Sequence, residues 1–337
     1  MNKFNIIFIF TFFTFFSNAQ LSDKNYLDEI KFKKNLIFKK NDTIIYISSQ
    51  YNNYKERPTI IFLQGSLPIP VINLQDNIPF PNLPFKIDSY IRKYNFILIS
   101  RKGVPLVLDY DKEKQNYNDT LNKKYKYYEK FNSLYYRVFQ VKSVLKDLIK
   151  KRWVRKDSIF IVGHSEGYRV AAKVAENNNN IRKLVCLSAN PFNRIVDEIV
   201  SERISNKYND SIHQLNVHNL IDDYLTIPKK ISKYKNDYKL YNWFSYNKEM
   251  TFKSFKKFKN PLLIVYGTND KTSLQNDLLP FLLNKKNLQL KVYPDLDHNF
   301  FKKEFDKNGT LIKEVYNWDI VFKDIVEWLT NVKFKQL

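Results

Sequence analysis

Short apolar runs recur along the chain, separated by polar stretches. Segments 59–63, 96–99, 158–162, 184–187 and 262–266 are nearly unbroken runs of Ile, Leu, Val and Phe. Runs of this length between turn signals describe strands buried on both faces, as in a parallel sheet covered by helices. Segments 36–38 and 43–47 predict an opening hairpin, and 288–293 predicts a last core strand. Other stretches repeat with a period near 3.6. Val138, Val141, Leu145 and Leu148 share a face in 135–151, and Val170, Ala171, Val174 and Ala175 share one in 168–176. Ile320, Val321, Ile325, Trp328 and Leu329 mark a closing helix over 319–332. Strand and helix alternate, which predicts a doubly wound α/β fold with a mostly parallel central sheet flanked by helices. Folds of this kind bind ligands beyond the carboxyl ends of their strands.

Two stretches break the alternation. Residues 66–84 are Pro-rich and read as a long surface loop. Residues 190–259 are polar, rich in aromatics and partly helical, and read as a cap inserted between two core strands. The core is then expected over 20–189 and 260–337. Residues 1–19 are set apart as an export signal. Lys3 supplies a positive start, 6–16 is an apolar core, and Ser17 and Ala19 are small residues before a cut at Gln20. That apolar core is shorter than the about 20 residues a membrane helix needs, so no membrane span is expected after cleavage.

The chain has only 6 glycines. Two of them bracket Ser165 in Gly163-His164-Ser165-Glu166-Gly167, directly after the apolar strand 158–162 and before a helical pattern. A serine on a sharp strand-to-helix turn projects its hydroxyl, and flanking glycines let the turn close without Cβ clashes. A serine hydroxyl is a poor nucleophile at neutral pH and needs a base oriented by a carboxylate. Of 4 histidines, His298 alone follows the last core strand, on a loop at its carboxyl end. His164 lies within the elbow and is expected to point away from Ser165; His213 and His218 fall in the cap. Asp270 emerges after strand 262–266 beside Gly267, which is read as permitting a tight turn there. Asp295 and Asp297 are read as shaping the loop of His298. Oxyanion donors are expected from the backbone N–H of Glu166 and from the loop Gln64-Gly65-Ser66, where Gly65 and Ser66 are equally eligible.

With these residues in place the chain resembles the α/β-hydrolase superfamily across 36–332. The elbow resembles the GHSEG subgroup of exported bacterial hydrolases, related to serine aminopeptidase and dienelactone-hydrolase-like families. Arg101-Lys102-Gly103-Val104 resembles that subgroup's basic turn after the strand 96–99, and Trp153 before the elbow strand also fits. Gln64 stands where a histidine is common before the oxyanion glycine, Pro105 replaces a usual glycine, and Tyr168 replaces a small residue. The resemblance implies an α/β-hydrolase fold with a partly helical cap, and a cofactor-free, metal-free hydrolase of esters, amides or related acyl bonds.

The formal net charge of +22 changes this picture little. Lysines are spread along the chain, and Lys, Asn, Ile, Tyr and Phe are abundant where Ala and Gly are scarce, as AT-rich coding dictates; no nucleic-acid partner is expected. The single cysteine, Cys186, sits in an apolar run and reads as a buried small side chain, so no internal disulfide is possible. The expected partner is a small-molecule or peptide acyl substrate. An ester is the first reading, because Tyr224, Tyr234, Tyr238, Tyr241, Trp243, Phe244 and Tyr246 offer an aromatic wall in the cap. An aminopeptidase-like activity is the second, because Asp197, Glu198, Glu202, Asp222 and Asp223 offer carboxylates for a free amine. A non-catalytic binding protein on the same scaffold is the alternative from another class. Export predicts a periplasmic or secreted protein whose mature chain begins at Gln20. Intact-mass measurement of protein recovered from an envelope or secreted fraction checks this: a mass for residues 1–337 overturns the cleavage site.

Overall fold

The computed structural model describes residues 25–50, 57–109, 126–205, 207, 209–232 and 237–330. Residues 1–19, Gln20 and Tyr234, which carry expectations above, lie outside the described residues. The main sheet has eight strands. β1 (Phe32–Lys39) and β2 (Asp42–Ser49) form the opening hairpin. β3 (Arg57–Leu63), β6 (Asn95–Ile99), β8 (Val154–His164), β9 (Lys183–Leu187), β10 (Leu262–Gly267) and β11 (Leu288–Tyr293) complete it, in the order β1-β2-β6-β3-β8-β9-β10-β11. β1, β2 and β6 pair antiparallel, and every pair from β6 to β11 is parallel.

The central runs are unbroken because both faces are covered. Along β3, Ile61 and Leu63 face one layer while Ile60 and Phe62 face the other. The first layer is built by helix α1 (Leu134–Lys150) and helix α2 (Glu166–Ala175), through Val141, Val144, Leu148, Val170 and Val174. The second is built by the C-terminal helix (Trp318–Leu329), whose Trp318, Val321, Phe322 and Ile325 pack with Phe85 against Phe62 and Phe96. Ser133 caps α1 by accepting a hydrogen bond from the N–H of Tyr136, which sets where that helix begins. Cys186 is buried in β9 with a free thiol.

Four helices are inserted between β9 and β10: α3 (Arg194–Arg203), α4 (Asp210–Lys230), α5 (Tyr238–Asn247) and α6 (Thr251–Lys257). Among the described residues no helix is long and apolar enough to cross a membrane.

Two features differ from expectation. The stretch 66–84 is not a plain surface loop. It contains β4 (Ile72–Gln75) and β5 (Ile78–Pro81), which pair with each other, and β7 (Val107–Asp109) adds to β4 in a small second sheet. Val71 and Ile72 are fully buried there, so the prolines edge a hairpin rather than loosen a loop. The second difference is a hairpin of β12 (Phe301–Phe305) and β13 (Leu311–Tyr316), directly after His298. Its residues are largely exposed, so no buried face imposes a period-2 apolar pattern that sequence could reveal.

Candidate functional site

Ser165 sits at the junction of β8 and α2 with φ 53° and ψ −134°. Non-glycine residues seldom adopt this backbone geometry, and it persists only when the surroundings enforce it. The enforcement is close packing. A Cβ on Gly167 would run into the carbonyl of Leu63 at the end of β3, and one on Gly163 would lie 2.6 Å from the carbonyl oxygen of Gly167. β3, β8 and the start of α2 therefore approach to backbone contact. Gly65 packs directly on Ser165: a Cβ there would come within 3.5 Å of Ser165 Oγ.

The structure brings the three separated residues together. The Ser165 hydroxyl donates to His298 Nε2 at 2.9 Å, and His298 Nδ1–H donates to Asp270 Oδ2 at 2.8 Å. Asp270 follows β10 and is 4% exposed, so its charge is secured by hydrogen bonds instead of water. Thr272 Oγ1 donates to its Oδ1 at 2.8 Å and Ser273 Oγ to its Oδ2 at 2.6 Å. A tight turn does follow Gly267, whose carbonyl accepts from the Asp270 N–H at 3.1 Å, and the glycine serves a close approach as well. Its missing Cβ leaves room for the carbonyl of Leu296, from the loop that carries His298. Asp295 and Asp297 serve that loop. Asp297 accepts from the backbone N–H of Asn299 and Phe301, and Asp295 pairs with Lys302.

Two residues beside this array carry more than the sequence reading gave them. The carbonyl of His298 accepts from Ser188 Oγ at 2.7 Å and from His164 Nε2 at 3.1 Å. His298 is thus held at its side chain by Asp270 and at its backbone by the neighbouring strand ends. His164 turns toward His298 and packs edge-on against Trp318, so its Nε2 must carry the proton. Burial, with the nearby His298, pushes the His164 imidazole down to about 4. Burial also acts to lower His298, but the hydrogen bond and charge of Asp270 outweigh it and its net shift is upward. Burial acts to raise Asp270, and the same hydrogen bond with those of Ser273 and Thr272 leaves it lowered.

A cavity of about 520 Å³ opens beside Ser165 and His298, lined on its cap side by α3. Asp197, Glu198 and Glu202 line it, whereas Asp222 and Asp223 are exposed elsewhere on α4. Each lining carboxylate has a partner. Asp197 pairs with Arg169 at 2.6 Å, Glu198 with Arg194 at 3.2 Å, and Glu202 with His213 at 2.7 Å. Among the described residues no lysine lines the cavity, and its cationic side chains are Arg169 and Arg194. The expected aromatic wall is not realised, since none of Tyr224, Tyr238, Tyr241, Trp243, Phe244 and Tyr246 lines this cavity. Tyr246 is buried against Arg137, and the Trp243 indole N–H donates to Glu198 at 3.1 Å. These rings pack the cap onto the core and tie its helices together. A second cavity, about 720 Å³, is lined by Phe80, Phe85 and Tyr316 and contains none of the site residues.

Ser66 lines the first cavity, and the Glu166 N–H opens α2, where a helix leaves its first N–H groups without internal partners. The cavity therefore meets the Ser165 hydroxyl, the His298 imidazole and the start of α2 within one wall. Among the described residues no cluster of three or more His, Cys, Asp or Glu is placed to hold a metal ion.

Comparison with known proteins bears on the fold. No protein-family model matches the sequence, and no curated protein does. Est1E from Butyrivibrio proteoclasticus superposes with a TM-score of 0.50 at 12% identity, over 88% of this chain and 98% of that one. Dipeptidyl peptidase 4 from Porphyromonas gingivalis gives 0.50 at 12% identity, over 90% of this chain and 35% of that one. This chain has the α/β-hydrolase fold. It spans 38% of the length of a further similar structure, the Pyrococcus horikoshii acylaminoacyl peptidase, at a TM-score of 0.49 and 12% identity over 80% of this chain.

Two expectations follow from the titrating groups. If His298 must be neutral to accept a proton, the acid limb of kcat/KM lies above the ordinary histidine value of about 6.5, because Asp270 raises it. A pH–rate profile checks this, and a midpoint below 6 contradicts it. His164 acts on stability. Its folded pKa is depressed, so between 6.5 and about 4 the unfolded chain binds more protons and stability falls as pH drops. The loss is up to roughly 3 kcal/mol. His164→Gln keeps a donor for the His298 carbonyl and removes the titration, so its melting temperature should fall less across that window than the parent's.

Proposed function

We propose that the chain is a serine hydrolase working through an acyl-enzyme. Ser165 Oγ attacks the acyl carbon as its proton passes to His298 Nε2, and the carbonyl π pair moves onto oxygen. Collapse expels the alcohol or amine, which takes the proton from His298. Water then repeats the sequence on the acyl-enzyme, with His298 as base, and frees Ser165. Asp270 holds the imidazole in the tautomer that leaves Nε2 open and stabilises the imidazolium. The N–H of Glu166, with Gly65 or Ser66, receives the developing oxyanion. The observation that carries this reading is the hydrogen-bonded series Ser165–His298–Asp270, at 2.9 and 2.8 Å, with Ser165 at positive φ on a strand-to-helix turn. The fold supports the class of architecture and leaves the substrate to the site.

Within this reading the cavity supports a polar substrate. Beside Ser165 it presents Ser66, Ser188, Asn190 and Thr272, with Leu220 the one aliphatic side chain lining it among the described residues. Hydrolysis of esters with short or polar acyl groups is the first choice. An aminopeptidase-like activity is the second, supported by Asp197, Glu198 and Glu202 on the same wall. Export, with cleavage before Gln20, completes the proposal and rests on the sequence pattern alone.

Labelling with a fluorophosphonate tests the central claim against a non-catalytic scaffold. The parent should label, and Ser165→Ala should not while keeping its melting temperature. His298→Ala and Asp270→Asn should each lose about 10²-fold or more in turnover, the range that general-base catalysis contributes. Equal labelling of Ser165→Ala moves the nucleophile elsewhere, and an active His298→Ala removes the base. Turnover of acetyl esters against aminoacyl amides then separates the two substrate classes.

A further inference from the structure

The loop after β3 presents three consecutive carbonyls, and each meets a guanidinium. Arg137 Nη2 donates to Gln64 O at 2.8 Å. Arg101 Nη2 donates to Gly65 O, and Arg101 Nη1 donates to Ser66 O at 2.9 Å and to Asn132 Oδ1 at 3.0 Å. Both arginines are buried, at 7% and 8% exposure. In a planar trans peptide the C=O of one residue and the N–H of the next point in opposite directions. A carbonyl of Gln64 turned to Arg137 therefore turns the Gly65 N–H away from it, and a carbonyl of Gly65 turned to Arg101 does the same for the Ser66 N–H. What lies against this loop on the site side is Ser165, packed on Gly65.

The elbow is tied to the same groups. Arg137 Nη1 donates to Glu166 Oε1 at 2.9 Å, and Arg194 Nη1 donates to Glu166 Oε2 at 2.9 Å. One guanidinium thus holds both halves of the donor set, the loop and the residue that follows Ser165. Burying like charges this close is costly unless each is paired and hydrogen-bonded. Burial, with Arg137 nearby, pushes Arg101 down to about 10, which still leaves it protonated at neutral pH. Gln64 itself cannot do this work. Its side-chain amide reaches away, to Asn82 O at 3.4 Å.

We propose that Arg101 and Arg137 are positioning residues for the oxyanion site: by holding the carbonyls of Gln64 and Gly65 they aim the backbone N–H groups of Gly65 and Ser66 at the oxygen that becomes negative when Ser165 attacks, and the bond to the Ser66 carbonyl anchors the loop beyond them. The proposal rests on the serine-hydrolase reading. It assigns the loop's order to two side chains from distant segments, and it keeps them off the substrate. Their effect belongs to the transition state, so it appears in kcat and in the binding of oxyanion mimics, with little change in KM.

The experiment uses the full chain and the variants Arg101→Met, Arg101→Lys and Arg137→Lys, with melting temperature measured for each. Steady-state kinetics on an activated acetyl ester are paired with inhibition by a trifluoromethyl ketone, which forms a hemiketal oxyanion on Ser165, and by its non-electrophilic alcohol. Loss of one oxyanion donor costs about 10²–10³ in kcat. Arg101→Met should approach that loss, with KM within about threefold. Each lysine variant should lose about tenfold, because an ammonium lacks the planar fork that reaches two acceptors at once. Trifluoromethyl ketone affinity should fall in step with kcat, and alcohol affinity should hold. Folded Arg101→Met at full kcat overturns the proposal, as does a loss carried by KM or shared equally by the alcohol. Where Arg101→Met does not fold, the lysine variants decide, and full kcat in both overturns it. If the parent itself neither labels with a fluorophosphonate nor turns over ester, the serine-hydrolase reading fails instead.

Discussion

Backbone contact between the end of β3, the end of β8 and the first turn of α2 is the constraint on which the site depends. Gly167 leaves space for the Leu63 carbonyl, Gly163 for the Gly167 carbonyl, and Gly65 for the Ser165 side chain. A Cβ at Gly163 or Gly167 would push the three segments apart, and one at Gly65 would press on the Ser165 side chain. Ser165 holds φ 53° because the chain enters α2 from a strand with no room to relax. The same closeness puts the loop 64–66 within reach of Ser165 and leaves the α2 N-terminus, with its positive dipole end, beside the cavity that Ser165 and Glu166 line.

Around this contact the polar groups are paired almost throughout, which is what burial demands. His298 is held at its ring by Asp270 and at its carbonyl by Ser188 and His164. Asp270 is held by Thr272 and Ser273. Glu166 answers Arg137 and Arg194. A group fixed at both ends has little freedom to lose in a reaction, so the arrangement suits a site that acts by orientation and electrostatics. The cap contributes to this order. Tyr246 of α5 lies on Arg137, and Arg194 opens α3. The inserted helices therefore touch the back of the elbow as well as the front of the cavity.

Much of this was legible in the sequence, and the reason is local. A strand buried on both faces shows as an unbroken apolar run, and the residues that follow it stand at its carboxyl end. Ser165 and Asp270 each follow such a run, and His298 follows the half-buried strand 288–293, where Leu288, Leu290 and Val292 alternate with Gln289 and Lys291, so their candidacy needed only strand order and side-chain chemistry. The parallel sheet, the three main helices and the inserted helical region were readable from the same periodicities.

What only the tertiary structure decided is which distant groups meet. Arg101 follows β6 and Arg137 rides on α1, and only the sheet order that places β6 beside β3 puts their guanidiniums on carbonyls of the loop 64–66. Ser188 and His164 reach the His298 carbonyl because β8 and β9 are neighbours. Of the cap aromatics Tyr246 and Trp243 turned to packing and Tyr238 and Tyr241 to solvent, while the carboxylates of α3 turned to the cavity, since helix rotation is set by what packs behind it. The hairpin of β12 and β13 left no pattern because its residues are largely exposed. Local sequence determines where a chain bends and which face seeks burial; it does not determine the partner of a long polar side chain, because that depends on distances between segments the fold alone brings together.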